Sequence, residues 1–143
     1  MRNLLNRLKK WRRLKIGLKI LLVKTFLLIV ITKVALKILP FRFFYKTYNA
    51  LIYTNRYRSY NQAYIKNRIW SVKTVSHHAP FSVVCLPQAL ALKYLLRKQP
   101  GVELHVGVQR NKGNFEAHAW VESNHIILIG DTPTAFRPIW VWK

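Results

Sequence analysis

Three segments near the C-terminus, each alternating apolar and polar residues, constrain this chain more than any other feature. In VELHVGVQ, Val102, Leu104, Val106 and Val108 share one face of an extended strand. In FEAHAWVE, Phe115, Ala117, Ala119 and Val121 share one face, and Glu116, His118 and Trp120 share the other. HIILIGD follows, and PIWVW is a candidate fourth strand. The connections RNKGN and SN have the composition of hairpin turns, so the strands are expected to pair antiparallel. Ahead of them the period changes. A short helix runs from about Leu86 to Lys98 and is stopped by Pro100-Gly101. Helix first, then an antiparallel sheet, predicts an α+β domain.

The upstream half has a different composition. Residues 1–73 hold 18 of the 25 Lys and Arg and no acid; the four acids are Glu103, Glu116, Glu122 and Asp131. This divides the 143 residues into a basic helical region, 1–73, and a catalytic domain, 74–143. Residues 2–39 read as one helical region, with Leu4, Leu8, Trp11, Leu14 and Leu18 at steps of three or four. Pro40 ends it. A second helical stretch, rich in Tyr, Arg and Asn, covers about Arg42–Ile69, and SHHAPFSVVC reads as a loop.

A formal charge of +21 must meet negative charge somewhere, and nucleic acid and anionic lipid are the usual partners. No RNP-like strand, KH-type loop or zinc pattern accompanies the Arg-Tyr stretch, which argues against nucleic acid. A cationic nucleic-acid- or membrane-binding protein without catalysis is the alternative reading, and it leaves the C-terminal motifs idle. From Ile16 to Leu39 the lysines Lys19, Lys24, Lys33 and Lys37 intrude, and the longest lysine-free run is Thr25–Thr32. That falls far short of the roughly 20 apolar residues a bilayer span requires. Lying in a membrane interface with snorkelling lysines, and packing into a core or on a partner protein, both fit better than spanning. A single cysteine excludes an intrachain disulfide framework and suits a reducing compartment. The N-terminal apolar run is too long and too interrupted for an ordinary secretory signal, which predicts a cytoplasmic protein.

Cys85 stands just before Pro87, a residue favoured in the first turn of a helix. Its sulfur is thereby expected at a helix N-terminus, where free N–H groups and the macrodipole favour an anion. The same N–H groups, that of Cys85 included, can hold a developing oxyanion. Taken alone a cysteine is most often inert and a strand histidine most often structural, so the case rests on their combination. If Ser123-Asn124 is a two-residue turn, His118 lies opposite Ile129 and Glu116 opposite Asp131. Asp131, the only Asp of the chain, is then diagonal to His118 on the same face, roughly 7–8 Å away between backbones. Glu116 and Asn124 are the other candidate orienters. Cys, then His, then Asp is the order of papain-like and transglutaminase-like sites, where the acid fixes the imidazole tautomer. His77, His78 and Cys85 form a weaker metal-ligand set, since adjacent histidines rarely converge and no second cysteine supports them. No cofactor or metal is expected. His105 and His125 fall on outward strand positions and read as solvated surface.

CLPQALALKYLLR, VELHVGVQR and FEAHAWVE, over about residues 78–131, resemble the catalytic B protein of lasso-peptide biosynthesis. The likeness is to the stand-alone C-terminal half of split B proteins, within the transglutaminase-like superfamily. It implies a transglutaminase-like or papain-like core and a bacterial cysteine protease that removes the leader from a ribosomally made precursor. It further implies a small leader-binding partner and a separate ATP-dependent macrolactam synthetase; the positive charge of the N-terminal helices, in turn, predicts that they dock on the inner membrane leaflet or on the synthetase and exporter. By position, Cys85 is the nucleophile, His118 the general base and then acid, and Asp131 the third member. Many relatives read Asp-Gly where this chain has Ser123-Asn124. A transglutaminase-like acyl transferase, with an amine replacing water, shares the same acyl-enzyme.

Overall fold

The computed structural model describes residues 12–111, 113–132 and 136–143. The expected apolar positions Leu4, Leu8 and Trp11 lie outside the described residues. Four helices precede four strands: α1 (Ile16–Ile38), α2 (Phe41–Ile52), α3 (Gln62–His78), α4 (Cys85–Leu95), then β1 (Val102–Asn111), β2 (Asn114–Ser123), β3 (Ile126–Ile129) and β4 (Arg137–Trp142). The sheet is antiparallel with the order β3-β2-β1-β4. The α+β fold is as expected.

Several boundaries differ from those the sequence suggested. Arg12 and Arg13 are helical, but the chain bends at Leu14 before α1 begins. The stretch 42–69 is broken at residues 53–61, where β-branched and amide side chains satisfy backbone groups themselves. The Thr54 hydroxyl accepts from the Arg56 N–H (3.1 Å), and the Asn61 side chain caps α3 by accepting from the Tyr64 N–H (2.8 Å). Helix α3 then runs on through Ser76, His77 and His78, so the loop before Cys85 is only residues 79–84.

One hydrophobic cluster joins the helices to one face of the sheet. It contains Leu21, Leu22 and Ile29 of α1, Phe44, Tyr48 and Ile52 of α2, Val72 and Val75 of α3, and Leu90 and Leu92 of α4. Leu104, Ala119, Val121, Ile129 and Trp142 meet them from the strands. The cluster crosses residue 73 without interruption. α4 is the centre of it, packed against α1, α3 and both central strands. Leu90, Leu92 and Leu96 are fully buried, and burial of side chains this size stabilises by about 1.5–3 kcal/mol each.

Several polar groups inside the cluster are paired, while the buried Trp142 Nε1 has no hydrogen-bond partner among the described residues. Tyr48 Oη donates to the Leu90 carbonyl (2.7 Å), and Thr25 and Ser71 share a hydroxyl–hydroxyl bond (3.0 Å) between α1 and α3. Lys93 is 4 % exposed and donates to the Val102 carbonyl (2.7 Å). Burial disfavours its charged form and lowers its pKa to about 8, against a smaller opposing pull from Glu103.

Candidate active site

Cys85 is the first residue of α4. Val84 before it is extended (φ −79°, ψ 173°) and supplies no side-chain cap. The first-turn N–H groups are thus free of a capping side chain, and Pro87, within that turn, has none to leave unpaired. The cysteine is half-buried while the helix runs on into the core at Ala89 and Leu90. Two side chains fix the loop that leads into it. Gln88 Nε2 reaches back to donate to the Val83 carbonyl (2.9 Å). Lys33 of α1 donates to the Ser82 carbonyl (2.6 Å), its ammonium 4.5 Å from the centre of the Phe81 ring. Phe26 adds a second ring against Phe81 at 6.2 Å.

His118 lies on β2, on the opposite face from the buried Ala119 and Val121. Its Nε2 is 2.7 Å from the Gly130 carbonyl oxygen. A carbonyl only accepts, so Nε2 carries the proton, and Nδ1 is left as the basic nitrogen. The imidazole is held between rings as well, with Phe136 at 5.1 Å and the near-parallel Trp120 at 6.3 Å. Opposite it on β1 is Gly107, where any Cβ would stand 2.9 Å from the Trp120 ring. Glycine there gives Trp120 room to lie flat beside the histidine.

Asp131 is exposed and directly follows Gly130. Among the described residues, no hydrogen bond joins its carboxylate to His118; the neighbouring carbonyl occupies that position. Hairpin geometry explains this. The β2–β3 turn is Asn124–His125, both with positive φ (49° and 65°), rather than Ser123-Asn124. Moving the turn by one residue pairs Ser123 with Ile126 and Glu122 with Ile127. A bulge then advances β3 by one more residue, so that Val121 pairs with Ile129. That shift buries Ile129 in the core and brings the end of β3 under His118. Gly130 follows with φ +85°, and its carbonyl faces the ring.

α4 packs directly on β2, yet among the described residues no hydrogen bond joins Cys85 to His118. Glu116 is engaged elsewhere, accepting from Gln109 Nε2. His77 and His78 sit at the exposed end of α3, their rings 4.9 Å apart, and His78 Nδ1 donates to the Thr74 carbonyl. They do not gather with Cys85. His125 is an exposed turn residue, but His105 is not solvated surface. Its side chain is 12 % exposed, stacked on Trp120 (5.3 Å), with Nε2 3.3 Å from both Glu103 and Glu122. The broad indole, paired directly across the sheet from His105, shields it from water.

Lys33, Gln88 and Gly130 had no site role in the sequence reading. Only Gly130 left a visible trace, as a glycine closing an apolar run directly before the single Asp. A family model described as the transglutaminase-like superfamily matches residues 28–141. No curated protein and no solved structure matches the chain.

Proposed function

The chain belongs to the transglutaminase-like superfamily, and from that premise we propose that it is a cysteine peptidase that removes the leader from a ribosomally made precursor peptide. The observation that carries the reading is the fixed tautomer of His118: its Nε2–H is committed to the Gly130 carbonyl, so Nδ1 is free to act as a base. Cys85 supplies the nucleophile from the uncapped start of α4. His118 Nδ1 takes the thiol proton to give an imidazolium, and the thiolate attacks the scissile carbonyl carbon, with the helix-start N–H groups donating to the oxyanion. The C–N bond breaks as the imidazolium gives its proton to the leaving amine. Water, deprotonated by the same imidazole, then hydrolyses the thioester and releases a free carboxylate. The Gly130 carbonyl orients the ring, and Asp131, one residue on, is the third member by motif.

The lasso-peptide B-protein likeness of CLPQALAL and EAHAWVE supports a leader–core junction as substrate, a small leader-binding protein as delivery partner and a macrolactam synthetase as the next enzyme. The test combines purified chain, precursor and leader-binding partner, and follows product mass. Cleavage that disappears in Cys85→Ala supports the reading. Undiminished cleavage by that variant sinks it, and a product bearing an added amine in place of a carboxylate would reassign the chain to acyl transfer.

A further inference from the structure

Among the described residues, nothing covers the outer side of α1. Its inner side, with Leu21, Leu22, Thr25 and Ile29, is buried against α3 and α4. Opposite them a second apolar stripe runs from Ile16 (72 % exposed) through Ile20, Val23, Leu27 and Ile31 to Ile38 (71 % exposed). At roughly 100° per residue these positions fall within one narrow sector of the helix, facing away from Ile29. The 23-residue helix makes the stripe about 34 Å long. A helix apolar on both sides is normally buried on both. No described helix is long and apolar enough to cross a membrane, so the stripe is not one side of a span.

Charge identifies the occupant. Lys24 borders one edge of the stripe, and Lys19 and Lys37 border the other. No carboxylate side chain occurs anywhere before Glu103. A continuous apolar strip with cations along both edges matches anionic headgroups above an acyl layer, where lysine stems lie along the apolar surface and the ammonium groups reach the phosphates. We propose that α1 lies flat in an anionic lipid surface with this stripe buried at the headgroup boundary. α4 packs on the other side of α1, so Cys85 is left on the aqueous side, open to a peptide. The inference does not depend on the chemistry assigned to Cys85.

Flotation of the full chain with vesicles of phosphatidylglycerol and phosphatidylcholine in equal parts tests it, beside vesicles of phosphatidylcholine alone. The chain is expected to float with the anionic vesicles and to stay bound at a salt concentration that screens headgroup attraction. Ile20→Ser/Ile31→Ser, both at exposed positions, should lower partitioning by about tenfold or more with an unchanged circular dichroism spectrum. Ile16→Ser/Ile38→Ser, at the helix ends, gives a second variant should the first fold poorly. Equal flotation by wild type and a folded variant would mean that charge alone binds the vesicle, and would overturn the proposal. So would failure of the wild type to float, or a dimer in solution that the same substitutions dissociate, because a second copy would then cover the stripe.

Discussion

Replacing Gly130 by alanine reports on the local geometry that sets His118. The residue has φ +85°, and a Cβ there would lie 2.6 Å from the Ala119 carbonyl oxygen and 2.9 Å from Trp120 Cα. The left-handed conformation alone costs a residue with a Cβ about 1–2 kcal/mol. The close atoms belong to the backbone of β2 and cannot rotate away, so β3 must lift from β2, which adds about 1–3 kcal/mol of overpacking. The expected destabilisation is therefore roughly 2–5 kcal/mol, read as a lowered urea midpoint. Gly113→Ala is the internal control. Its φ is similar, +89°, but nothing lies within 4 Å of the added Cβ, so only the backbone cost of about 1–2 kcal/mol applies. Lifting β3 also withdraws the carbonyl that holds the His118 Nε2–H, so kcat/KM on precursor should fall by about tenfold or more in Gly130→Ala, measured where the variant is folded, and not in Gly113→Ala. If the two variants lose the same stability and keep the same activity, the account of Gly130 as the seat of the histidine is wrong.

Other perturbations separate the remaining contributions. Asp131→Asn should reduce kcat/KM by only about tenfold, against the loss of about 10⁴ expected when the sole orienter of a catalytic histidine is disabled, because the Gly130 carbonyl stays in place; a loss of the larger size in steady-state cleavage would make the carboxylate the true orienter. Lys93, with a folded pKa of about 8 below the ordinary 10.5, holds fewer protons in the folded than in the unfolded chain between those values. Stability should therefore rise with pH through that window, by up to roughly 3 kcal/mol, with the cost fully present below it; urea titrations of wild type against Lys93→Met should show the rise in wild type alone. Tyr48→Phe removes the hydroxyl from the Leu90 carbonyl and should cost about 1–2 kcal/mol, checked by thermal unfolding, with little change in cleavage. Lys33→Met frees the Ser82 carbonyl and the loop ahead of Cys85, and should lower kcat by several-fold while thermal stability changes little, since the contact is exposed.

The architecture was legible where a period repeats. Val102 and Leu104 on β1, and Ala119 and Val121 on β2, are buried as the alternation requires, whereas the helix expected to reach Lys98 ends at Leu95, ahead of Pro100-Gly101. The outer ends of the same strands break the pattern, with Phe115 and Ala117 exposed, because the β1–β2 hairpin extends past the helices that cover its base. Legibility fails at Ile126–Ile129. Four successive apolar residues carry no alternation, so nothing local says which of Leu128 and Ile129 turns inward. Tertiary packing decides for Ile129, and the bulge that permits it cannot be read from spacing. Reasoning from spacing therefore placed the turn to within one residue, but it put the Asp131 side chain beside His118, where the structure has the backbone oxygen of Gly130.

Cys85 and His118, the proposed nucleophile and base, are held by separate frameworks. On the helix side, Leu90, Leu92 and Leu96 anchor α4, and Lys33 and Gln88 hold the loop entering Cys85. On the sheet side, Gly130, Phe136 and Trp120 hold His118. The two meet where α4 packs on β2, within the core that buries Ala89 and Ala91 of the helix and Ala119 of the strand. Ala119, next to His118, is also where Gly130 approaches closest, its carbonyl oxygen 2.6 Å from the position of a Gly130 Cβ. Catalysis needs a thiolate–imidazole separation of about 3–3.5 Å. The part of α4 open to a peptide is its start, where Val84 is exposed and Cys85 half-buried, since Ala89 to Leu92 behind it are buried.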